Sequence, residues 1–141
     1  LDPETARIAE VIEAYKKAKR PTLPVMLAPN VAGSMWLRPV EFGKFITKVL
    51  ADATANPAEY AAVTPMNRKM SWGRGWAVDH TNPGQFLWVY GDTSGFRNIV
   101  LISPTRKTAL AIFTNSERGT ALYGGILRER LGVDLAVLYW V

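Results

Sequence analysis

The spacing of apolar residues divides the chain into a helical first part and a strand-rich second part. Five apolar residues that follow Pro39 recur three and four positions apart: Phe42, Phe45, Ile46, Val49 and Leu50. This spacing places side chains on one face of a helix, and proline favours the first helical position. An earlier helix is predicted from Asp2 to Pro21, and a short helix from Asn56-Pro57 to about Val63.

From Ser71 onward, apolar runs bounded by turn residues replace the helical spacing. We predict strands over 72–79, 85–91, 96–103 and 108–115, and a last helix over 120–131 that ends at Gly132 with Leu122, Ile126 and Leu127 facing inward. Successive residues are apolar in Val100-Leu101-Ile102, whereas a sheet with one wet face would alternate. The sequence therefore predicts an α+β fold: an antiparallel meander of about four strands covered by helices on both faces.

Composition limits the classes of protein and site. The 141 residues are 48% hydrophobic, which fits one domain and is too apolar for intrinsic disorder. The longest apolar run, Leu135–Val141, is far shorter than the roughly 20 residues of a membrane-spanning helix. We expect a single partial domain, with a helical and irregular part over 1–70 and strands plus a C-terminal helix over 71–141.

Missing residue types exclude several chemistries. There is no cysteine and one histidine, His80, so disulfides, thiolate zinc sites, a cysteine nucleophile and a histidine-rich metal site are excluded. No metal and no cofactor are predicted. The net charge is +5, but the dense basic cluster over 16–20 falls at a predicted helix end, where cations are favourable. We therefore predict no nucleic-acid partner and keep binding of an anionic polymer as a third hypothesis.

Recognisable catalytic motifs for other mechanisms are missing as well. A Ser-His-Asp triad would need His80, and no Gly-x-Ser-x-Gly segment presents a serine to it. We interpret His80 as a structural residue of a turn. The informative segment is Trp88–Arg97, in which Gly91 and Gly95 flank three polar residues between two apolar strands. Such backbone either turns sharply between strands or lets a ligand approach closely.

Several segments occur in an order that resembles a known family. Ser71–Trp76, Trp88–Arg97 and Ala111–Asn115 precede a helix, and Ala32–Met35 precedes the helix at Pro39. This order resembles the C-terminal part of the penicillin-recognising serine hydrolases: class C β-lactamases, DD-peptidases and family VIII esterases. The resemblance implies part of a β-lactamase/transpeptidase-like three-layer domain, and ester or amide hydrolysis through an acyl-enzyme.

The resemblance also implies roles for particular residues. The family's third motif, on the strand that borders the pocket, corresponds to Val89-Tyr90-Gly91, and the backbone amide of Asp92 would be the catalytic oxyanion donor. Gly91 would let substrate lie along the strand, and Val89, Tyr90 and Thr93 would flank it. Alternatively, this segment is a plain turn and Tyr90 is buried. Asn115 would lie near a substrate carboxylate or cap a helix.

The chain lacks several motifs that the family needs for catalysis. No serine has lysine three residues on, no tyrosine has asparagine two residues on, and Val89 occupies the motif's cationic or imidazole position. Because members of this family are more than twice as long, we expect the Ser-x-x-Lys nucleophile on an absent upstream segment. The chain starts at Leu1 without a signal-like segment. That segment or chain would be the main partner, with self-association through an exposed sheet edge or apolar face. The resemblance makes a periplasmic or secreted location plausible.

Two other hypotheses compete with this one. A non-catalytic binding or assembly module would reuse the fold, with Val89 as the sign of a lost site. An anionic-polymer binder is suggested only by the charge. The tryptophans Trp72, Trp76, Trp88 and Trp140 are interpreted as core or domain-contact residues.

Overall fold

A computed structural model describes Glu13, Lys17, Ala32, Met35 and residues 37–81, 84–93 and 95–141. The chain forms two compact units, one of Leu1–Trp36 with Thr93–Gly95 and one of Leu37–Asp92 with Phe96–Val141. In the first unit Glu13 and Lys17 are helical and exposed, which agrees with the predicted first helix. The rest of that helix and most of the segment before Pro39 lie outside the described residues.

The second unit is built on an antiparallel sheet, and the fold is α+β. Six strands lie in the order in which they occur along the chain: β1 (Thr64–Pro65), β2 (Met70–Trp72), β3 (Ala77–Asp79), β4 (Phe86–Thr93), β5 (Phe96–Ser103) and β6 (Thr108–Thr114). The bounds of β5 are those predicted from the sequence. Thr93, the last residue of β4, belongs to the first unit.

The predicted strand count was too low because one predicted strand is a hairpin. Residues 72–79 do not form a single strand: β2 pairs with β3, and the Gly73 amide donates to the Trp76 carbonyl at 2.7 Å. Gly75 turns the chain with a φ of 81°, a conformation that glycine adopts without steric cost. The two-residue strand β1, paired with β2, is too short to give a periodic signal.

Two α-helices and three 3-10 helices are described in the second unit. Helix α1 spans Pro39–Ala55 and starts at the predicted proline. The short helix after Asn56 is a 3-10 helix, Pro57–Tyr60. Further 3-10 helices span Gly119–Leu122 and Ala136–Tyr139, and helix α2 spans Tyr123–Leu131. Gly132 ends α2 with a φ of 63°, as predicted.

Helices cover both faces of the sheet, as the unbroken apolar runs indicate. On the α1 face, helix α1 packs on alternate strand residues; the buried members are Ile46, Ala53, Val78, Leu87, Val100 and Ile102. On the α2 face lie the intervening strand residues, helix α2 and the C-terminal segment; its large fully buried members include Phe86, Trp88, Ile99, Leu101, Tyr123, Leu127 and Leu135. The central strands are therefore buried on both faces.

The inward faces of the two helices differ from prediction at single positions. Phe45 is exposed on α1, and Leu122 is 57% exposed. Leu122 belongs to the 3-10 helix that precedes α2, where three residues per turn replace 3.6 and shift the inward direction. Tyr123 is fully buried next to it, and Leu127 is buried as predicted.

A buried carboxylate fastens the C-terminal segment to the sheet. Asp79, the last residue of β3, is fully buried. It accepts hydrogen bonds from the Thr81 amide at 2.9 Å and from the Val137 amide at 3.1 Å, and a short one from the Thr81 hydroxyl. These donors compensate the cost of burying the carboxylate.

We predict that Leu127→Ala lowers the free energy of unfolding by about 2–5 kcal/mol, because it leaves a cavity in the α2-face core. Leu122→Ala removes the same atoms from an exposed side chain and changes that free energy by less than about 0.5 kcal/mol. Urea unfolding followed by circular dichroism measures both. Equal decreases of the free energy of unfolding in the two variants would contradict the finding that Leu127 faces the core and Leu122 faces solvent.

Candidate functional site

Strand β4 leaves the core at the first residue of the predicted motif. Phe86, Leu87 and Trp88 are buried, whereas Val89 is 39% exposed and Gly91 and Asp92 are exposed. The register with β3 ends at the pair Ala77 and Trp88. Beyond it, Val89–Asp92 has β5 as a neighbour on one side, and no strand of the described chain pairs with its other edge.

The two faces of this strand end have different surroundings. Because successive strand residues point to opposite faces, and Leu87 belongs to the α1-face core, Val89 and Gly91 lie on the α1 face. Tyr90 packs against the α2-face core, and Asp92 shares its side. The α1 face of the strand end is thus a shallow surface with one apolar side chain and a glycine.

Gly91 is not required by the local packing. A Cβ built on it would have one neighbour within 4 Å, the Asn98 Cβ at 3.9 Å, which is an ordinary contact, and its φ is outside the left-handed region. Neither steric space nor backbone conformation therefore demands glycine there. The plain-turn interpretation of the segment does not apply to Val89–Gly91, since these residues lie within β4.

The side chain of Asp92 is fixed on the α2 face by a three-residue ion network. Arg97 forms short hydrogen-bonded ion pairs with both Asp92 and Glu117, and its side chain is only 17% exposed. Charge-assisted hydrogen bonds of this kind are among the stronger ones in proteins. The network joins the end of β4, the start of β5 and the segment after β6. Asp92 and Arg97 flank the β4–β5 turn, and this placement of opposite charges is a sequence signal that could have indicated the pair.

Two tyrosines lie beside this network. Burial, with the nearby charge of Asp92, raises the pKa of Tyr90. Burial, with an added effect of Tyr90, raises the pKa of Tyr123 to about 12. The Tyr123 hydroxyl is fully buried and has no hydrogen-bond partner among the described residues. Both phenols are therefore neutral at physiological pH and cannot serve as bases there.

The two remaining predicted site residues, Thr93 and Asn115, belong to different parts of the fold. Thr93 ends β4 and is half-buried. Asn115 follows β6 at the same end of the sheet as Val89 and is exposed. It does not cap a helix, because the next helix has Arg118 at its cap position. A hydrogen bond from the Asn115 side chain to another described residue is not observed.

His80 has two side-chain partners that the sequence pattern did not indicate. Its Nε2 lies 3.0 Å from the Ser71 Oγ, and its Nδ1 lies 3.4 Å from the Gln85 side-chain amide. Ser71 is buried within β2, so the imidazole satisfies a buried hydroxyl. Asp79 does not complete a triad, because it accepts from Thr81 and Val137 instead. The interpretation of His80 as a structural residue stays a prediction.

A groove of about 440 Å³ opens beside the C-terminal segment. Its lining residues are Asn67, Arg68, Lys69, Met70, Ala136, Tyr139 and Trp140. Arg68 and Lys69 form no ion pair with any described residue. Trp88 is buried, whereas Trp140 and Trp72, whose rings lie 5.4 and 6.0 Å from that of Trp88, are half-exposed. Trp88 thus lies in the core and Trp76 packs, partly buried, against the α1-face core. A domain-contact role of Trp72 and Trp140 stays a prediction.

Two further features bear on the kind of site. Among the described residues, no three histidine, aspartate or glutamate side chains are grouped closely enough to hold a metal ion. In the same part of the chain, no helix has both the length and the apolar character needed to cross a membrane.

Comparisons with known proteins return no relative. No family model, no curated protein and no solved structure matches the chain.

We predict that raising the pH through 10 to 12 destabilises the protein, in part through Tyr123. The folded-state pKa of about 12 exceeds the ordinary value of 10, so the folded state holds the proton more tightly and stability falls over that interval. Tyr123→Phe removes the titrating phenol and, with it, this contribution to the pH dependence of stability. It also removes a buried hydroxyl that has no partner among the described residues. Thermal unfolding from pH 8 to pH 12 should therefore show a smaller decrease of Tm in Tyr123→Phe. An unchanged decrease would contradict the burial of this phenol.

Proposed function

We propose that this chain supplies the substrate-side strand and one oxyanion-hole amide of a serine hydrolase of the penicillin-recognising class. The Ser-x-x-Lys nucleophile belongs to polypeptide outside this sequence, and the substrate is a small ester or amide. The proposal extends to the fold, a β-lactamase/transpeptidase-like three-layer domain of which this chain forms part. No metal or cofactor takes part in the proposed reaction.

One observation carries this proposal: the open edge of β4 at Val89–Asp92. The neighbouring strand β3 begins at Ala77, opposite Trp88, and so does not reach Val89–Asp92. An extended ligand can add to such an edge through backbone hydrogen bonds. Gly91 has no local packing reason to be glycine. A ligand that approaches the backbone closely provides a reason.

The anchoring of Asp92 supports its role as an oxyanion donor. Arg97 holds the Asp92 side chain on the α2 face, away from the face on which Gly91 is open. Oxyanion stabilisation needs N–H groups held in place before charge develops on the substrate, because donors that must reorganise lose most of their effect. A single amide is half of such a site, and the second donor would come with the nucleophile.

Val89 limits the chemistry that the site can support. The aliphatic side chain of valine has no donor and cannot form a hydrogen bond with a substrate carboxylate. The apolar surface of Val89 therefore favours an uncharged acyl ester over an anionic peptide end.

We expect a fluorophosphonate probe and a fluorescent β-lactam to label the longer or two-chain form and leave this chain alone unlabelled. In the labelled form, Gly91→Ala should slow acylation by about 100-fold, because a methyl group displaces the substrate from the strand. The labelling rate is measured by in-gel fluorescence over time.

Gly43→Ala is the matched control for that variant. A Cβ at Gly43 meets no atom within 4 Å, so the acylation rate should not change. Labelling of this chain alone would show that it carries its own nucleophile. A longer form that contains a Ser-x-x-Lys segment and still resists both probes would also contradict the proposal.

A second candidate is a non-catalytic binding or assembly module that reuses the fold. The groove lined by Arg68, Lys69, Tyr139 and Trp140 favours it, because two unpaired cations beside exposed aromatic rings suit an anionic ligand with planar groups. Its position does not involve Val89–Asp92, so the two functions are separable.

Single-stranded DNA serves as the polyanion probe for this second function. If the groove binds it, the double variant Arg68→Ala/Lys69→Ala should reduce the slope of log K against log salt by about 1.4, the value for two phosphate contacts. Arg128→Ala/Arg130→Ala changes the net charge equally, away from the groove, and should leave the slope nearly unchanged. No binding at low salt, or equal effects of the two variants, would exclude the groove as a polyanion site.

A further inference from the structure

Strand β6 is an edge strand of the described sheet, and its own sequence lacks the residues that usually protect such edges. It stands last in the strand order, and no strand of the described chain pairs with its outer edge. Its seven residues, Thr108–Thr114, include no charged residue and no proline. Natural sheets block long apolar edges with lysine, proline, bulges or covering segments, because open N–H and C=O groups pair with other strands.

An apolar patch adjoins this edge on the α1 face. Phe113 is 46% exposed, and its ring packs edge-on against Phe42 at 5.2 Å between centroids. Phe42 in turn contacts the exposed Phe45 at 5.6 Å. Strand edge and aromatic patch together form one continuous surface on β6 and α1, which we call the β6 surface.

We propose that the β6 surface pairs with the same surface of a second copy of this chain. The two β6 strands run antiparallel, with a two-fold axis at Ala111 and perpendicular to the sheet, and the sheet continues from one copy into the other. This inference is independent of the proposed function, because Val89–Asp92 lies at the end of β4 and takes no part in the pairing.

The sequence of β6 is self-complementary in this register. The axis places Phe113 opposite the partner's Ala109, so a large ring meets a small residue on the α1 face. On the α2 face it places Leu110 opposite the partner's Ile112. At the strand ends, Thr108 meets the partner's Thr114, and threonine pairs of this kind stabilise antiparallel ladders.

Charge also favours a second copy as the occupant. The chain has a net charge of +5, so two copies repel each other over most of their surfaces, but β6 brings no cation to the contact. The register places the basic turn at 105–107 opposite the partner segment that contains Glu117. Because a two-fold contact is closed, pairing stops at the dimer and does not extend into fibres.

The first experiment measures the mass of this chain in solution by light scattering after size exclusion, over a range of concentrations. We expect twice the 15.6 kDa of one chain at high concentration. Phe113→Lys should weaken dimerisation by at least about tenfold, because two added cations enter the contact. Val63→Lys adds the same charge at an exposed apolar residue outside the β6 surface and should leave dimerisation unchanged.

Cross-linking tests the register, and the absence of natural cysteine removes any background. Ala111→Cys places two thiols opposite each other at the axis and should form a disulfide-linked dimer under mild oxidation. Ala109→Cys substitutes an alanine of the same strand with similar burial. Its two thiols lie four residues out of register and should not cross-link.

Three outcomes would overturn the proposal: a monomer at every concentration, a dimer unaffected by Phe113→Lys, or equal cross-linking by both cysteine variants. If this chain is a monomer, hydrogen exchange of its β6 amides is compared with that of a longer form of the protein. Slow exchange in the longer form alone would identify another polypeptide as the occupant of the β6 surface. Circular dichroism of each variant separates loss of pairing from loss of folding.

Discussion

The structure depends on burial of both faces of its central strands. In β5, Ile99 and Leu101 face helix α2, whereas Val100 and Ile102 face helix α1. Neither helix can be removed without exposing half of these side chains, so the two helices and the sheet stabilise one another through the hydrophobic effect. The candidate site begins where this double cover ends on β4, at Val89.

Local signals in the sequence were sufficient for much of this fold. Pro39 at a helix start, Gly132 at a helix end and the apolar run of β5 each determine a local conformation, and the structure has all three. The division of 72–79 into two strands depends on one tight turn at Gly73–Trp76. The exposure of Leu122 depends on a 3-10 helix, whose hydrogen bonding has no distinct periodicity over four residues.

The sequence predicted which segment forms the candidate site. It did not predict how that segment is placed in the sheet or what it contacts. Two glycines around three polar residues identified Val89–Thr93, but the strand edge is open because β3 begins only at Ala77, opposite Trp88, which is a property of the sheet register. The ion network of Arg97 joins residues 20 positions apart in the chain, and no periodicity indicates such a pair. The family resemblance implies roles for these residues, and Val89–Thr93 lie on the single strand β4.

The buried carboxylate of Asp79 has a consequence for biosynthesis. Its partner amide at Val137 is separated from it by 58 residues, and the α2-face core contains other residues of the same C-terminal segment. While that segment is still inside the ribosome, the emerging β3–β4 region holds a negative charge with one partner missing and an uncovered apolar face. The nascent chain therefore stays incompletely packed, and open to chaperones and proteases, until Val137 has left the ribosome.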